Sequence, residues 1–282
     1  MTTVPSARHP DGGQGLKRIG ALLAKELEDL RGNPGLFVPA ALTGIVSILL
    51  PFVIAIAVPY LTGERLSDSS DFRVALELYR DQPATRSLDP EGAIQALIFQ
   101  QFLILLVLTP VAGAMAVAAY AVVGEKQGRT LEPLLATPLT TFELLAAKVL
   151  GALVPGIALV AMCFAIYVAG VAVFAHPGVY RTLLAPRALL IIFLLGPLAS
   201  LAALQLAVCV SSRVSDARSA QQVGALIILP ISALLVAEFT GNVRLTSAVI
   251  LAISSALVAL NAALMAVGVR LFDRESILTR WK

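Results

Sequence analysis

Charge is scarce in this sequence. Only 14% of its 282 residues are Asp, Glu, Lys or Arg, whereas 58% are hydrophobic. Soluble domains carry roughly a quarter charged residues, so this composition excludes an ordinary water-soluble protein. Its apolar runs reach the roughly 18 residues that a helix needs to cross a hydrocarbon layer about 30 Å thick. We therefore predict an integral membrane protein.

Aromatic, cysteine and histidine residues are also few. Aromatics make up 6% of the chain, and the apolar runs are continuous rather than alternating, which excludes a transmembrane barrel and predicts helices. Cys163 and Cys209 lie in apolar runs without CxxC spacing, and His9 and His176 lack metal-ligand spacing. With no GxSxG motif either, we expect neither a metal site nor catalysis by this chain.

The basic residues follow topology rather than a nucleic-acid footprint. The net charge is +3, but these residues form no stripe with interleaved aromatics, so nucleic acid is not an expected partner. If both termini are cytosolic, 14 of the 21 Lys and Arg residues lie on the cytosolic side and 7 outside. Positive loops resist translocation, so this bias predicts cytosolic termini.

The sequence divides into three parts. Residues 1–14 are polar and aperiodic, which predicts a disordered tail and not a removable secretory signal. In residues 15–33 apolar side chains recur at three- and four-residue steps, which predicts an amphipathic helix. That helix lies either in the membrane interface or against a cytosolic partner. Residues 34–282 form the transmembrane domain.

Six apolar runs predict an all-α integral membrane protein with six transmembrane helices. The predicted spans are about 36–60, 94–123, 144–175, 186–211, 219–240 and 245–270. Prolines inside these runs each remove a helical hydrogen bond and invite a kink. They are Pro51, Pro110, Pro155, Pro197 and Pro230.

The connection between the second and third spans is GEKQGRTLEPLLATPLTTFE, from Gly124 to Glu143. Its interleaved charges and leucines predict a short amphipathic helix, which Thr137-Pro138 ends. Thr140 and Glu143 have capping-box spacing, which predicts that the next helix starts there. From the residues alone, the segment is either a helix that couples to a partner or a loop on the headgroups.

This connection closely resembles the first cytosolic loop of type 2 ATP-binding-cassette (ABC) exporter permeases. There, an acid-basic-Gly-Thr-Leu-Glu cluster precedes Leu-Leu, a Thr-Pro, and then Glu-Leu and Lys. The present chain departs from many relatives in placing Arg129 between Gly128 and Thr130. Residues 211–222 are similar to the family's link between spans four and five, and residues 25–27 to its opening interfacial helix.

The resemblance implies the permease subunit of an exporter in the cytoplasmic (inner) membrane, which forms the substrate pathway and is not an enzyme. It implies a second permease copy or a homologous permease in the bilayer. Separate ABC ATPase subunits would bind the ATP and Mg, with no cofactor on this chain. The sequence agrees, because it contains no GxxxxGK[ST] phosphate loop. It does not specify the substrate.

The resemblance also implies which residues contact the ATPase. Leucines would anchor in a groove, and charges would set the orientation. These residues are Glu125, Gly128, Arg129, Thr130, Leu131, Glu132, Leu134, Leu135 and Pro138. Arg213, Asp216 and Arg218 either make a second cytosolic contact or only satisfy the topology rule.

Four amides lie inside apolar runs, where they either bond between helices or line the pathway; we favour bonding between helices. They are Gln100, Gln101, Gln205 and Asn261. Glu238, near the outer end of span five, either reaches water or forms a proton or cation site, and we expect it to reach water. An ion-coupled secondary transporter without an ATPase is the alternative function, and a non-transporting membrane scaffold is a third. A bound protein with a phosphate loop would favour the exporter.

Overall fold

A computed structural model describes residues 20–25, 38–68, 88–127, 140–211, 228–240 and 243–271, and isolated positions at 28, 31–32, 35, 222 and 226. Within these ranges the regular secondary structure is helical and includes no strand. Residues 20–25 are helical and fall in the predicted amphipathic segment. Most of that segment and the predicted tail lie outside the described residues.

From residue 38 onward, the described chain forms ten α-helices. They are α1 (Val38–Phe52), α2 (Val58–Thr62), α3 (Pro90–Gln101), α4 (Leu103–Gln127), α5 (Thr141–Phe174), α6 (Val179–Leu183), α7 (Pro186–Leu190), α8 (Gly196–Ser211), α9 (Ile228–Phe239) and α10 (Ser247–Leu271). π-helical segments connect α1 to α2 (Val53–Ala57) and α7 to α8 (Ile191–Leu195), and Leu66–Asp68 is a 3-10 turn.

Five helical stretches are long and apolar enough to cross a membrane. They are Val38–Thr62, Pro90–Met115, Thr141–Phe174, Pro186–Val210 and Ser247–Leu271, and each overlaps one predicted span. The remaining prediction, 219–240, contains α9, whose 12 residues extend about 18 Å at 1.5 Å per residue. The described chain is thus an all-helical membrane protein with five candidate spans and one shorter apolar helix.

α1 packs against α4 through small residues. A Cβ on Gly113 would stand 3.0 Å from the Cβ of Ala40, and the Ser47 hydroxyl donates a 3.0 Å hydrogen bond to the Leu105 carbonyl. The hydrophobic effect does not drive helices together in a bilayer, because lipid tails are as apolar as the side chains. Close packing and hydrogen bonds hold such helices together instead. The buried residues of α1 are Ala40, Gly44, Ser47 and Pro51.

α4 lies at the centre of the bundle, where it packs against α1, α5 and α8. α10 lies at the periphery and packs mainly against α8. Only 17% of the most apolar 18-residue stretch of α10 is buried inside the bundle, against 78% for that of the candidate span Pro90–Met115. The uncovered face of α10 carries exposed Leu251, Val258 and Val267. An uncovered apolar face of this kind is suited to lipid or to another membrane helix.

Four aromatic rings pack together around Gly170 in α5. The ring of Phe52 lies 5.0 Å from that of Phe99, 5.8 Å from that of Tyr167 and 6.4 Å from that of Phe174 between centroids. A Cβ on Gly170 would come within 2.8 Å of the Phe52 ring. The glycine is therefore required by a close approach of α1 to α5.

The helix ends form two opposite faces of the bundle. At the first, which we call the Gly63 end, the Glu91 carboxylate accepts hydrogen bonds from the backbone N–H groups of Leu66 (3.2 Å) and Ser67 (3.0 Å). The backbone N–H of His176 donates to the Gln95 side chain at 2.8 Å. These bonds join the turn after α2, the start of α3 and the turn after α5.

The opposite face, which we call the Thr140 end, contains the start of α5 and the last turns of α8 and α10. A Cβ on Gly268 would stand 3.6 Å from Leu145 and 3.7 Å from Cys209, so α10 passes close to both helices. A separate apolar cluster fills this half of the bundle. Its buried members are Ala114, Leu145, Val149, Ala152, Leu204, Ala207 and Val208.

Each π-helical segment precedes a proline. Pro59 and Pro197 have no N–H, and a proline ring crowds the carbonyl four residues before it. Those carbonyls belong to Ala55 and Phe193, which both lie in the π-helical segments. The wider π turn accommodates the ring, and the Ala55 carbonyl accepts a 3.4 Å hydrogen bond from the Gln95 amide instead.

The prolines singled out in the sequence behave differently from one another. α-Helical structure runs on through Pro51, Pro110 and Pro155, of which the first two are buried. Pro197 follows a π-helical segment, as does Pro59, which the sequence analysis did not single out. Pro230 lies in the first turn of α9, where no intrahelical donor is needed.

Candidate functional site

The predicted ATPase contact joins two helices that pack on each other. α4 ends at Gln127, α5 begins at Thr141, and the two helices are in contact. Glu125 lies in the last turn of α4. The other predicted contact residues lie outside the described part of the chain: Gly128, Arg129, Thr130, Leu131, Glu132, Leu134, Leu135, Pro138, Arg213, Asp216 and Arg218.

The start of α5 carries the capping box that the sequence predicted. The Thr140 hydroxyl accepts a 3.2 Å hydrogen bond from the backbone N–H of Glu143, and the Glu143 carboxylate accepts a 2.8 Å bond from that of Thr140. Two backbone donors that a helix start leaves open are thereby satisfied. The prediction that the third span begins here is confirmed, with Thr141 as the first helical residue.

A polar cluster is buried near the Gly63 end. Arg187, at the start of the span that α7 begins, donates a 3.0 Å hydrogen bond through Nη1 to Oε1 of Gln100 in α3. Its Nη2 forms an ion pair with Oε1 of Glu238 in α9. Glu238 is only 2% exposed, so the expectation that it reaches water is wrong. The cluster ties α9 to two of the longer spans.

The pairing of Arg187 with Glu238 is monodentate. Only Nη2 contacts the carboxylate, through Oε1, while Nε of Arg187 and Oε2 of Glu238 are buried without a hydrogen-bond partner. Arginine pairs with carboxylates most strongly through two parallel hydrogen bonds, and this pair has one. Removing one partner of a buried pair typically costs about 3–5 kcal/mol, because the other charge is left uncompensated.

A cavity of about 110 Å³ lies beside this cluster. It lies between the α3–α4 junction and α7, which begins the candidate span Pro186–Val210. Arg187 is the one charged residue among those that the structure shows around it. The lining residues are Gln100, Leu103, Thr182, Ala185, Arg187, Ala188 and Ile191.

The other three amides are all buried, but they lie in different parts of the bundle. Gln101 is 3% exposed at the end of α3. Asn261 of α10 donates a 3.0 Å hydrogen bond to the Leu198 carbonyl of α8. Gln205 lies in the Thr140 half of the bundle, where Leu145 and Met265 are among its neighbours. The four amides therefore do not converge on one site.

The span that begins at Pro90 is interrupted at Phe102, between α3 and α4. The Tyr167 hydroxyl of α5 donates a 2.9 Å hydrogen bond to the Phe99 carbonyl just before the interruption. Tyr167 and Phe99 are both fully buried. A neighbouring span thus supplies a partner to the backbone where the helix is broken, as a bilayer requires.

Near the same end of the bundle, Nδ1 of His176 lies 3.3 Å from a carboxylate oxygen of Asp89, and both side chains are about half exposed. Within the described chain, no three His, Cys, Asp or Glu side chains are grouped closely enough to hold a metal ion. These contacts fasten the turn after α5 to the start of α3.

Sequence reasoning missed the polar cluster because its members are distant in the chain. Arg187 is separated from Glu238 by 51 positions and from Gln100 by 87. Gln100 and Glu238 were singled out in the sequence, whereas Arg187 was only counted among the seven basic residues placed outside. A signal did exist, since Arg187 and Glu238 stand at neighbouring ends of consecutive predicted spans, where opposite charges can meet.

A family model described as "ABC-2 family transporter protein" matches residues 82–258. The matched region begins before α3 and ends within α10, and it includes the segment between α4 and α5. No match was found among curated proteins or among solved structures. The family model covers more than half of the 282 residues. On this evidence the chain, a multi-pass helical membrane protein, belongs to the ABC-2 family of transporter proteins.

Proposed function

We propose that this chain is the permease subunit of an ABC exporter, which forms the substrate pathway across the cytoplasmic membrane and is driven by separate ATPase subunits. The observation that carries the proposal is the position of residues 128–139. They connect α4, the central helix of the bundle, to α5, which packs against it. A partner that displaced this connection would act on both helices at once.

The interruption at Phe102 supports movement of this kind. α3 is tied to α5, α7 and the turn after α5 through Phe99, Gln100 and Gln95. α4 lies on the other side of the interruption and leads to the connection. A displacement from the ATPase would therefore tilt α4 relative to α3. Alternating access needs relative motion of this type.

We further propose six membrane crossings with both termini in the cytosol. α8 ends with Ser211 at the Thr140 end, whereas Glu238 in α9 meets Arg187 near the Gly63 end. A chain that connects these two residues would therefore cross the bundle once more, and α9 would form the last part of that crossing. The Thr140 end would face the cytosol, in agreement with the Lys and Arg bias.

Two permease chains would make the complete transporter, as a pair of identical or homologous subunits. The cavity beside Arg187 holds about 110 Å³, less than the roughly 300–1,000 Å³ of typical small-molecule pockets. The uncovered apolar faces of α1 and α10 are suited to lipid and to a second permease. ATP and Mg would be bound by the ATPase, because this sequence has no phosphate loop.

The proposal is tested with the paired substitution Leu134→Asp/Leu135→Asp, which places two charges where an ATPase groove would receive leucines. The complex of the chain with its ATPase should lose substrate-stimulated ATP hydrolysis and transport in proteoliposomes. Leu134→Met/Leu135→Met, which keeps both side chains apolar, should retain them. Insertion into the membrane should be equal for both. Full stimulation in the aspartate variant would contradict the proposed coupling.

A further inference from the structure

The two partners of the Arg187–Glu238 ion pair are placed differently relative to the cavity. An ion pair that only held helices together would not require this difference. The described lining of the cavity includes the arginine and not Glu238. The Arg187 side chain is 19% exposed, whereas that of Glu238 is 1% exposed. The positive partner of the ion pair therefore faces the accessible space, and the negative partner lies behind it.

The side-chain amide of Gln100 offers a hydrogen-bond donor beside the cavity. Oε1 of Gln100 accepts from Arg187, so the amide nitrogen of Gln100 is left as a donor beside the cavity. Nε of Arg187 also has no partner, but it is buried and would reach a ligand only if the guanidinium turned toward the cavity. The Thr182 hydroxyl already donates to the Val179 carbonyl at 2.7 Å and adds no further donor. The remaining wall is apolar.

We propose that this cavity binds an anionic oxygen group, a phosphate or a carboxylate, that competes with the Glu238 carboxylate for Arg187. The Gln100 amide and the Arg187 guanidinium supply such a ligand with a donor and a cation, and Arg187 makes only one hydrogen bond to Glu238. Exposed Leu184 and Leu189 lie on either side of Arg187 in sequence and would adjoin an apolar tail. Both a lipid headgroup and a soluble anion have this chemistry.

Binding would loosen α9, because Glu238 is its ionic contact with the neighbouring span. The competition itself does not depend on transport. A role for the site in the substrate pathway, which would select for anionic substrates, rests on the proposed function. Anion binding can therefore fail in a chain that still couples to the ATPase. Equally, ATPase coupling can fail in a chain that still binds anions.

Native mass spectrometry of the purified chain in detergent would measure bound lipid at matched concentrations of phosphatidylglycerol and phosphatidylcholine. In Glu238→Gln the internal competitor is gone, and apparent affinity for phosphatidylglycerol should rise by about tenfold. In Arg187→Gln it should fall to the level of phosphatidylcholine. A purely structural ion pair would make both variants change in the same direction, which would overturn the proposal.

Thermal unfolding with inorganic phosphate, at constant ionic strength, distinguishes the two sources. Stabilisation by phosphate that is stronger in Glu238→Gln and absent in Arg187→Gln assigns a site open to soluble anions. Phosphatidylglycerol binding without phosphate stabilisation assigns a headgroup site. Absence of both effects overturns the proposal.

Arg181→Gln serves as the matched control, because Arg181 is an exposed arginine of α6 outside the cavity lining. It should leave phosphatidylglycerol binding unchanged, and an equal loss there would overturn the proposal by showing non-specific attraction. If Arg187→Gln is not monodisperse, Arg187→Gln/Glu238→Gln replaces it, since neither charge is then unpaired. That double variant should also bind no more phosphatidylglycerol than phosphatidylcholine.

Discussion

The hydroxyl of Tyr167 donates a hydrogen bond of 2.9 Å to the carbonyl oxygen of Phe99. Phe99 lies three residues before the interruption at Phe102 that separates α3 from α4. The bond therefore fixes the third span to the half of the second span that ends there. It also gives a buried carbonyl a partner that lipid could not provide.

Tyr167→Phe should lower the free energy of unfolding by about 1 kcal/mol, because it leaves the Phe99 carbonyl without this donor while keeping the packed ring. Thermal unfolding in detergent, followed by circular dichroism, measures the change. Tyr60→Phe is the control, since Tyr60 is 86% exposed and its substitution should have almost no effect. Equal stability of wild type and Tyr167→Phe would contradict the assigned role.

Gly170→Ala and Gly156→Ala should differ in sign, although both glycines lie in α5. Alanine at 156 would make ordinary contacts of 3.6 Å or more with Pro110, so helix propensity should stabilise that variant by up to about 1 kcal/mol. Alanine at 170 would stand 2.8 Å from the Phe52 ring, which three other aromatic rings surround. Overpacking typically costs about 1–3 kcal/mol.

The glycine pair is compared by the same thermal unfolding measurement. Phe52→Leu in the Gly170→Ala background should recover part of the loss, because the smaller side chain removes the overlap. A Gly170→Ala variant as stable as Gly156→Ala would show that α1 and α5 do not approach as closely as described.

Thr140→Val should cost about 1 kcal/mol, because it removes the oxygen that accepts from the Glu143 N–H. Thr140→Ser keeps that oxygen and should be neutral. Hydrogen exchange of the amides of residues 141–143 reports the effect directly, with faster exchange expected in the valine variant alone. Unchanged exchange there would argue against the capping box.

Cysteine labelling tests the number of crossings, in a chain whose Cys163 and Cys209 are replaced by alanine. Glu64→Cys and Thr240→Cys, both at exposed positions, should react with a membrane-impermeant maleimide added to intact cells. Thr140→Cys should react only after the membrane is opened. If Thr240→Cys behaves like Thr140→Cys, then α9 does not belong to a crossing segment.

The sequence predicted the spans well because their signal is local. A long apolar run must be helical in a bilayer, so five of the predicted spans overlap helices of sufficient length. The start of α5 was equally predictable, since Thr140 and Glu143 form their bonds within four residues. The span predicted at 219–240 contains the described helix Ile228–Phe239, and most of its residues before 228 lie outside the described part of the chain.

The polar cluster could not be predicted in the same way. Arg187, Gln100 and Glu238 come from three separate helices, and only packing brings them together. The π-helical segments depend on where a proline ring meets a carbonyl and on which neighbour compensates, as Gln95 does for Ala55. One sequence contains no record of such neighbours.

The length of α5 has a mechanical consequence. Its 34 residues extend about 51 Å, whereas the hydrocarbon layer is only about 30 Å thick. The surplus need not lie within lipid, and Glu143 and Lys148 mark the polar turns where it begins. Because the capping box keeps the first turn from fraying, a force applied at residue 140 would be passed along α5 into the bilayer. The hydrogen bond from Tyr167 to Phe99 would then carry that force to α3, in the opposite half of the bundle.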